Sequence, residues 1–174
     1  MIGQAPMSGA EPEMGNPEPE MSHPEPEFRR ARLADVPAIV AMLADDDLGK
    51  TREDLSEPLA SSYAAAFQAI DSDPNQLLAV AERGGEVVGC LQITFLPGLS
   101  RKGMWRGQIE SVRIASSIRG SGLGRRMIGW ALEECRTRNC GIVQLSTVKS
   151  RKDALRFYES LGFVASHEGM KLTL

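Results

Sequence analysis

Apolar and polar positions alternate along this chain with two different periods, and each change of period marks an element. Residues 28–33 read as a short strand. Val36, Ile39, Val40 and Leu43 then recur at the i, i+3, i+4, i+7 spacing of one helical face, with Asp35 placed to cap that helix. A second helix is predicted over 56–70 from Leu59, Tyr63, Ala66, Phe67 and Ile70, and Asp73-Pro74-Asn75 reads as a turn. The period next shortens to two. Gln76–Glu82 and Val87–Phe95 are apolar runs of strand length on either side of Arg83-Gly84-Gly85-Glu86, which is a hairpin signal. After Pro97-Gly98, Met104–Ala115 reads as a third long strand, in which Ile109, Ser111 and Arg113 alternate with Glu110, Val112 and Ile114. That alternation predicts one face mixing a carboxylate with two aliphatic side chains.

Beyond residue 115 the helical period returns. Leu123, Met127, Ile128, Ala131, Leu132 and Cys135 form one stripe, and Arg136 and Arg138 lie near its C-terminal end, where positive charge is favoured. Ile142–Thr147 reads as a strand. Ala154, Leu155, Tyr158 and Leu161 give a further helix closed by Gly162, and Phe163–Val164 with Lys171–Leu174 read as a last strand or strand pair. The order β-α-α-β-β-β-α-β-α-β predicts an α/β layer fold, a mixed central sheet flanked by helices.

The first 27 residues behave differently. Met7, Met14 and Met21 each open a seven-residue unit that ends in Glu-Pro-Glu. Proline at alternate positions removes backbone donors and clashes with a helical turn, and the segment has almost nothing apolar to bury. Residues 1–27 are therefore expected to be a disordered tail, and residues 28–174 one folded domain. The tail changes the reading of charge. It carries six glutamates and no Lys or Arg, so the net charge of -3 divides into an acidic tail and a domain with 20 basic against 17 acidic residues. That weak basic excess does not predict a nucleic-acid partner, for which a basic patch or stripe is expected. It suits a small polyanion better.

Other classes are set aside on similar grounds. No apolar run approaches the ~20 residues that cross a bilayer, and no basic start leads into an apolar stretch, so a cytoplasmic protein is expected. Cys90, Cys135 and Cys140 are odd in number and form no CxxC, and His23 and His167 are the only histidines. Neither a disulfide framework nor a metal site is predicted, and all three cysteines are expected to be buried small hydrophobes.

Chemistry concentrates in Arg119-Gly120-Ser121-Gly122-Leu123-Gly124-Arg125-Arg126, between a strand and the most periodic helix. Glycine lets the backbone approach a ligand and turn without a Cβ penalty. The following helix offers unpaired N–H groups and the positive end of its dipole, which together attract phosphate. No Lys-Ser or Lys-Thr follows these glycines, so a P-loop is excluded, and their spacing does not match GxGxxG. Arg119, Gly122 and Gly124 do match [Arg/Gln]-x-x-Gly-x-[Gly/Ala], the pyrophosphate loop of the GCN5-related N-acetyltransferases (GNAT). Ile109–Ile114 precedes the loop as that family's central strand does. Asp153-Ala-Leu-Arg-Phe-Tyr-Glu-Ser-Leu-Gly-Phe163 resembles its second signature, a helix ending in Phe-Tyr-x-x-x-Gly-Phe. The resemblance spans residues 28–174.

The resemblance implies acetyl transfer from acetyl-CoA to an amine by direct attack, on a sheet whose two central strands splay apart. Val112, Arg113 and Ile114 would pair with the pantetheine arm. Arg119, Gly120, Ser121, Gly122, Leu123, Gly124 and Arg125 would hold the diphosphate. A backbone N–H near Val112 would polarise the thioester carbonyl, as oxyanion donors do. Glu110 stands where many relatives carry a general base, and a carboxylate on a largely buried central strand suits that work. The alternative for Glu110 is a structural ion pair with Arg106 or Arg113. Tyr158 matches the tyrosine that protonates the departing thiolate, with packing as its alternative.

The sequence departs from the family where an Asn usually contacts the cofactor, for Arg151 stands there, and Ser146 and Arg151 are the remaining candidates for that contact. Arg101 and Lys102 either attract the adenosine 3′-phosphate or solvate a loop. Asp45-Asp46-Asp47, with Glu53 and Asp54, either attract a cationic amine or form a solvated acidic loop. The acceptor, a small-molecule or a protein or peptide amine, has no recognisable signature. A homodimer is a family habit, and a non-catalytic acyl-CoA-binding regulatory module is the competing reading.

Overall fold

The computed structural model describes residues 24–45 and 49–174. Most of the predicted tail, along with Asp46 and Asp47, therefore lies outside the described residues. Strands β1 (Glu27–Arg30), β2 (Gln76–Arg83), β3 (Glu86–Leu96), β4 (Trp105–Ile114) and β5 (Cys140–Leu145) form one sheet in chain order. The first four are successively antiparallel, and β5 runs parallel to β4. Helices α1 (Val36–Ala44) and α2 (Ser61–Ser72) follow β1, a single turn α3 (Ser100–Gly103) joins β3 to β4, and α4 (Leu123–Thr137) makes the crossover to β5. Helix α5 (Lys152–Glu159) follows β5.

Alternation along the strands supplies two cores, one on each face of the sheet. Leu77, Ala79, Leu91, Ile93 and Ile109 meet Leu123, Met127, Ile128, Ala131 and Cys135 of α4. On the opposite face Leu78, Val80 and Cys90 meet Val36, Ile39 and Val40 of α1 and Phe67 of α2. The buried stripe of α4 is the one its sequence predicts. Asp35 is buried beneath the start of α1, where it accepts hydrogen bonds from the Arg29 guanidinium at 2.7 and 3.0 Å and from the Arg32 N–H at 2.6 Å. The Arg29 hydrogen bond, ahead of every other influence, holds the Asp35 carboxyl below the usual carboxylate range.

Four expectations are corrected. Helix α2 begins at Ser61 rather than 56, because Pro58 disfavours helical backbone at the residue before it. No strand follows β5 among the described residues: the apolar row Met170, Leu172 and Leu174 has no neighbour and lies exposed, as does Val164. Cys90 and Cys135 are buried, and burial pushes both thiols up to about 12, but Cys140 is only partly covered.

The fourth correction bears on the site. Gln92 pairs with Glu110 and Cys90 with Arg113, so Ser111 and Val112 together oppose the single residue Leu91. This bulge, with Ser111 at φ +54°, breaks the alternation of β4. Ile109, Val112 and Ile114 share the α4 face, whereas Glu110 and Arg113, three positions apart, both turn to the other.

Candidate active site

The glycine loop takes its shape from two residues that no side chain would suit. Strand β4 ends at Ile114, a 3₁₀ turn covers Ser116–Ile118, and Gly120 and Gly122 both adopt φ +84° before α4 begins at Leu123. A Cβ on either glycine would meet nothing within 4 Å, so left-handed backbone, not crowding, requires glycine there. Leu123 is 3% exposed and anchors the first turn in the core. The first-turn N–H groups of α4 therefore stand at a fixed head, with no earlier helical carbonyl to accept them.

Beside the loop the sheet opens. Pairing between β4 and β5 stops at Ile109 with Leu145. From Glu110 to Ile114, β4 has β3 along one side and no strand along the other. This is the expected splay, and it sets Val112, Arg113 and Ile114 directly before the glycine loop. The Val112 carbonyl accepts a hydrogen bond from the side chain of Arg113 at 3.0 Å.

Tyr158 reaches the same neighbourhood from α5. Gly162, at φ +90°, ends that helix, with the Phe163 N–H donating to the Tyr158 carbonyl at 3.1 Å. The Tyr158 ring meets Phe157 and Phe163 edge-on, at 5.2 and 5.8 Å. Burial raises the pKa of its hydroxyl above the ordinary tyrosine value, opposed by the positive charges of Arg151 and Arg113. Arg113 of β4 and Arg151 at the head of α5 thus both act on this hydroxyl.

Glu110 departs from expectation. It is exposed, because the bulge places it on the open edge and β5 has already left. Its carboxylate has no hydrogen-bond or ion-pair partner among the described residues, so the structural pairing with Arg106 or Arg113 is not seen. The loop arginines are committed to protein partners. Arg119 donates to the Ile114 carbonyl at 3.1 Å and pairs with the Asp45 carboxylate at 2.7 Å, tying the loop to the end of α1. Arg125 donates to Ser160 Oγ at 2.9 Å, tying it to the end of α5.

Other candidates are not brought to the site. Arg101 and Lys102 lie on α3, which precedes β4, whereas the loop follows it. Ten residues of strand, at ~3.3 Å each, separate the two ends. Glu53 accepts from the Tyr63 hydroxyl at 2.9 Å, and the Asp54 carboxylate accepts from the Ser56 N–H at 2.9 Å. Asp45, Ser160 and Glu25, which pairs with Arg126, are neighbours of the loop that sequence reasoning missed. The acidic run was the one available signal for Asp45, and nothing local announces that its partner is Arg119.

Comparison with known proteins decides what this arrangement belongs to. The family model described as Acetyltransferase (GNAT) family matches residues 39–163, which include the parted strand, the loop and Tyr158. The chain is a GNAT acetyltransferase. It is thus an acetyl-CoA-dependent acyltransferase of a family that moves acetyl onto amines. This acetyltransferase is 31% identical over 139 residues to the aminoalkylphosphonate N-acetyltransferase of Salmonella typhimurium, covering 80% of this chain and 85% of that one. Over 90 residues it is 38% identical to the glucosamine 6-phosphate N-acetyltransferase of Trypanosoma brucei brucei, covering 52% of this chain and 59% of the other. Among solved structures, a transcriptional regulator from Bacillus halodurans C-125 superposes with TM-score 0.84 at 49% identity, over 86% of this chain and all of that one. Among the described residues of the acetyltransferase, no helix is long and apolar enough to cross a membrane.

Proposed function

We propose that this enzyme transfers acetyl from acetyl-CoA to the primary amine of a small acceptor that carries an anionic phosphorus group. The observation that carries the first half is the parted edge of β4 running straight into a left-handed glycine turn at the head of α4. The edge offers main-chain partners to the amide-bearing pantetheine arm, and the helix head offers donors and positive potential to the diphosphate. Val112, Arg113 and Ile114 bind the arm, and Gly120, Ser121, Gly122, Leu123 and Gly124 the diphosphate. Arg119 and Arg125 act by bracing the loop against Asp45 and Ser160.

In the reaction the amine attacks the thioester carbon, the developing oxyanion is met by a main-chain N–H near Val112, and the C–S bond breaks. Glu110, exposed and unpartnered at the open edge, accepts the amine proton through a water. Tyr158 gives its proton to the departing sulfur. Burial keeps that hydroxyl neutral, which is the state a proton donor needs. The acceptor class draws on the two N-acetyltransferases compared above, whose named substrates each join an amine to phosphonate or phosphate.

The test is release of CoA thiol from acetyl-CoA with aminoalkylphosphonates, hexosamine phosphates, polyamines and short peptides as acceptors. Turnover is expected with the first two groups. Efficient turnover of polyamines or peptides alone sinks the acceptor class, and no turnover with any amine sinks the mechanism. The Bacillus halodurans protein, named as a regulator, favours a second role in which acyl-CoA binding also signals to a partner.

A further inference from the structure

The end of the acidic tail rests against the head of α4. Glu25 forms an ion pair with the guanidinium of Arg126, in the first turns of that helix. Residues 24–26 and the side chains of Arg83, Ser121, Leu123 and Arg126 enclose one cleft, in which Glu25 is the only carboxylate among the described lining residues. Two guanidinium groups thus line a cleft with one acid, and that acid is paired with Arg126. Arg83 has the further peculiarity that its Nε is buried without a hydrogen-bond partner among the described residues. A buried charged donor left unmet is unfavourable, so the cations around this cleft are short of acceptors. Ser121 and Leu123 belong to the glycine loop, so the cleft and the proposed diphosphate seat share residues and share the positive end of α4.

We propose that this cleft is an anion seat which the acidic tail fills through Glu25, so that the tail and the phosphates of acetyl-CoA compete for the head of α4. The inference rests on the cofactor reading given above. Charge favours it: residues 1–27 hold six glutamates and no cation, while the rest of the chain has a basic excess. Glu25 is tethered to the domain it contacts, at an effective concentration on the order of millimolar, while Glu11, Glu13, Glu18 and Glu20 lie outside the described residues. The tail thereby acts as a built-in competitor, weak enough for cofactor to displace and strong enough to raise the concentration of cofactor required.

The experiment is calorimetric titration of the full chain with CoA, comparing the native protein with Glu25→Gln, Arg126→Gln and the double variant. Glu25 is 81% exposed in its side chain, so its substitution leaves the fold intact, which circular dichroism checks. Glu25→Gln is expected to tighten CoA binding about two- to fivefold, the size of an exposed ion pair. The gain is expected to vanish in the Arg126→Gln background and to shrink at high salt, where such pairs are screened. Equal affinity of the native protein and Glu25→Gln overturns the proposal, as does a gain that survives in Arg126→Gln. Absence of CoA binding in every variant instead overturns the cofactor reading, and this proposal with it.

Discussion

Tyr158 and Glu110 divide the proton traffic of the proposed reaction, and their surroundings suit opposite tasks. Tyr158 is packed between Phe157 and Phe163, and Glu110 stands open at the edge of β4. Tyr158→Phe keeps the ring and removes the proton, so kcat is expected to fall about 10²-fold with the KM for acetyl-CoA little changed. Steady-state kinetics check this, and an unaltered kcat assigns the residue to packing. The direction of its pKa fixes a second outcome. Because burial raises the hydroxyl above its ordinary value, it stays protonated through about pH 10, and loss of rate from its ionisation belongs above that pH. An alkaline limb caused by this residue near neutrality, abolished in Tyr158→Phe, contradicts that placement. At Asp35 the sign is reversed. Its carboxyl is held low by Arg29, so it contributes stability above about pH 4 that is lost as pH falls through the folded value. Asp35→Asn is expected to cost about 3 kcal/mol in denaturant unfolding at neutral pH, and to cost less in acid.

At the scale of elements, two positions depend on glycine for different reasons. Gly122 sits at φ +84° with open space around a would-be Cβ, so Gly122→Ala meets conformational strain alone, of about 1–2 kcal/mol. The same change is expected to weaken CoA binding, because the loop must keep that backbone to aim its N–H groups. Gly107 is the contrary case. A Cβ there would fall 2.4 Å from Cys135 Sγ, so Gly107→Ala overpacks the contact of β4 with α4 and is expected to destabilise by about 1–3 kcal/mol. Thermal unfolding of both variants separates them, since only Gly122→Ala should impair cofactor binding beyond its effect on stability. The elements also show where sequence reasoning works. Helix α4 was legible because fifteen residues repeat one period without interruption. The bulge was hidden because Ser111 occupies what looks like an ordinary alternating position, and the extra residue shows only when β3 is laid beside it. The last strand failed for a related reason: alternation in Met170, Leu172 and Leu174 describes a willing strand, but says nothing of a neighbour.

For the whole molecule, the loop was readable from local pattern and the parted strand only through the family resemblance, and the bracing was not. Arg119 and Asp45 are 74 positions apart, and only the assembled fold brings the end of α1 to the glycine loop. The loop is therefore held from both helical layers, by Asp45 on one side and Ser160 on the other. A ligand seated there binds the assembled molecule and not its unfolded chain. Acetyl-CoA at one hundred times its dissociation constant is thus expected to add about 2.7 kcal/mol to stability, measurable as a rise in Tm of several degrees. No shift at saturating acetyl-CoA speaks against a site built this way.

The offset at Ser111 has a consequence for how this chain tolerates change. Because two residues of β4 stand opposite Leu91, everything from Val112 onward is out of phase with everything before it. Deleting Ser111 would restore a regular ladder, with Val112 alone opposite Leu91 and each later residue still on the face it holds now. Arg113 would stay opposite Cys90, and Ile114 would stay on the side packed beneath α4. A single missing codon there would smooth the kink and leave the inside and outside of the strand's end as they are, whereas one lost from a regularly paired strand would exchange them.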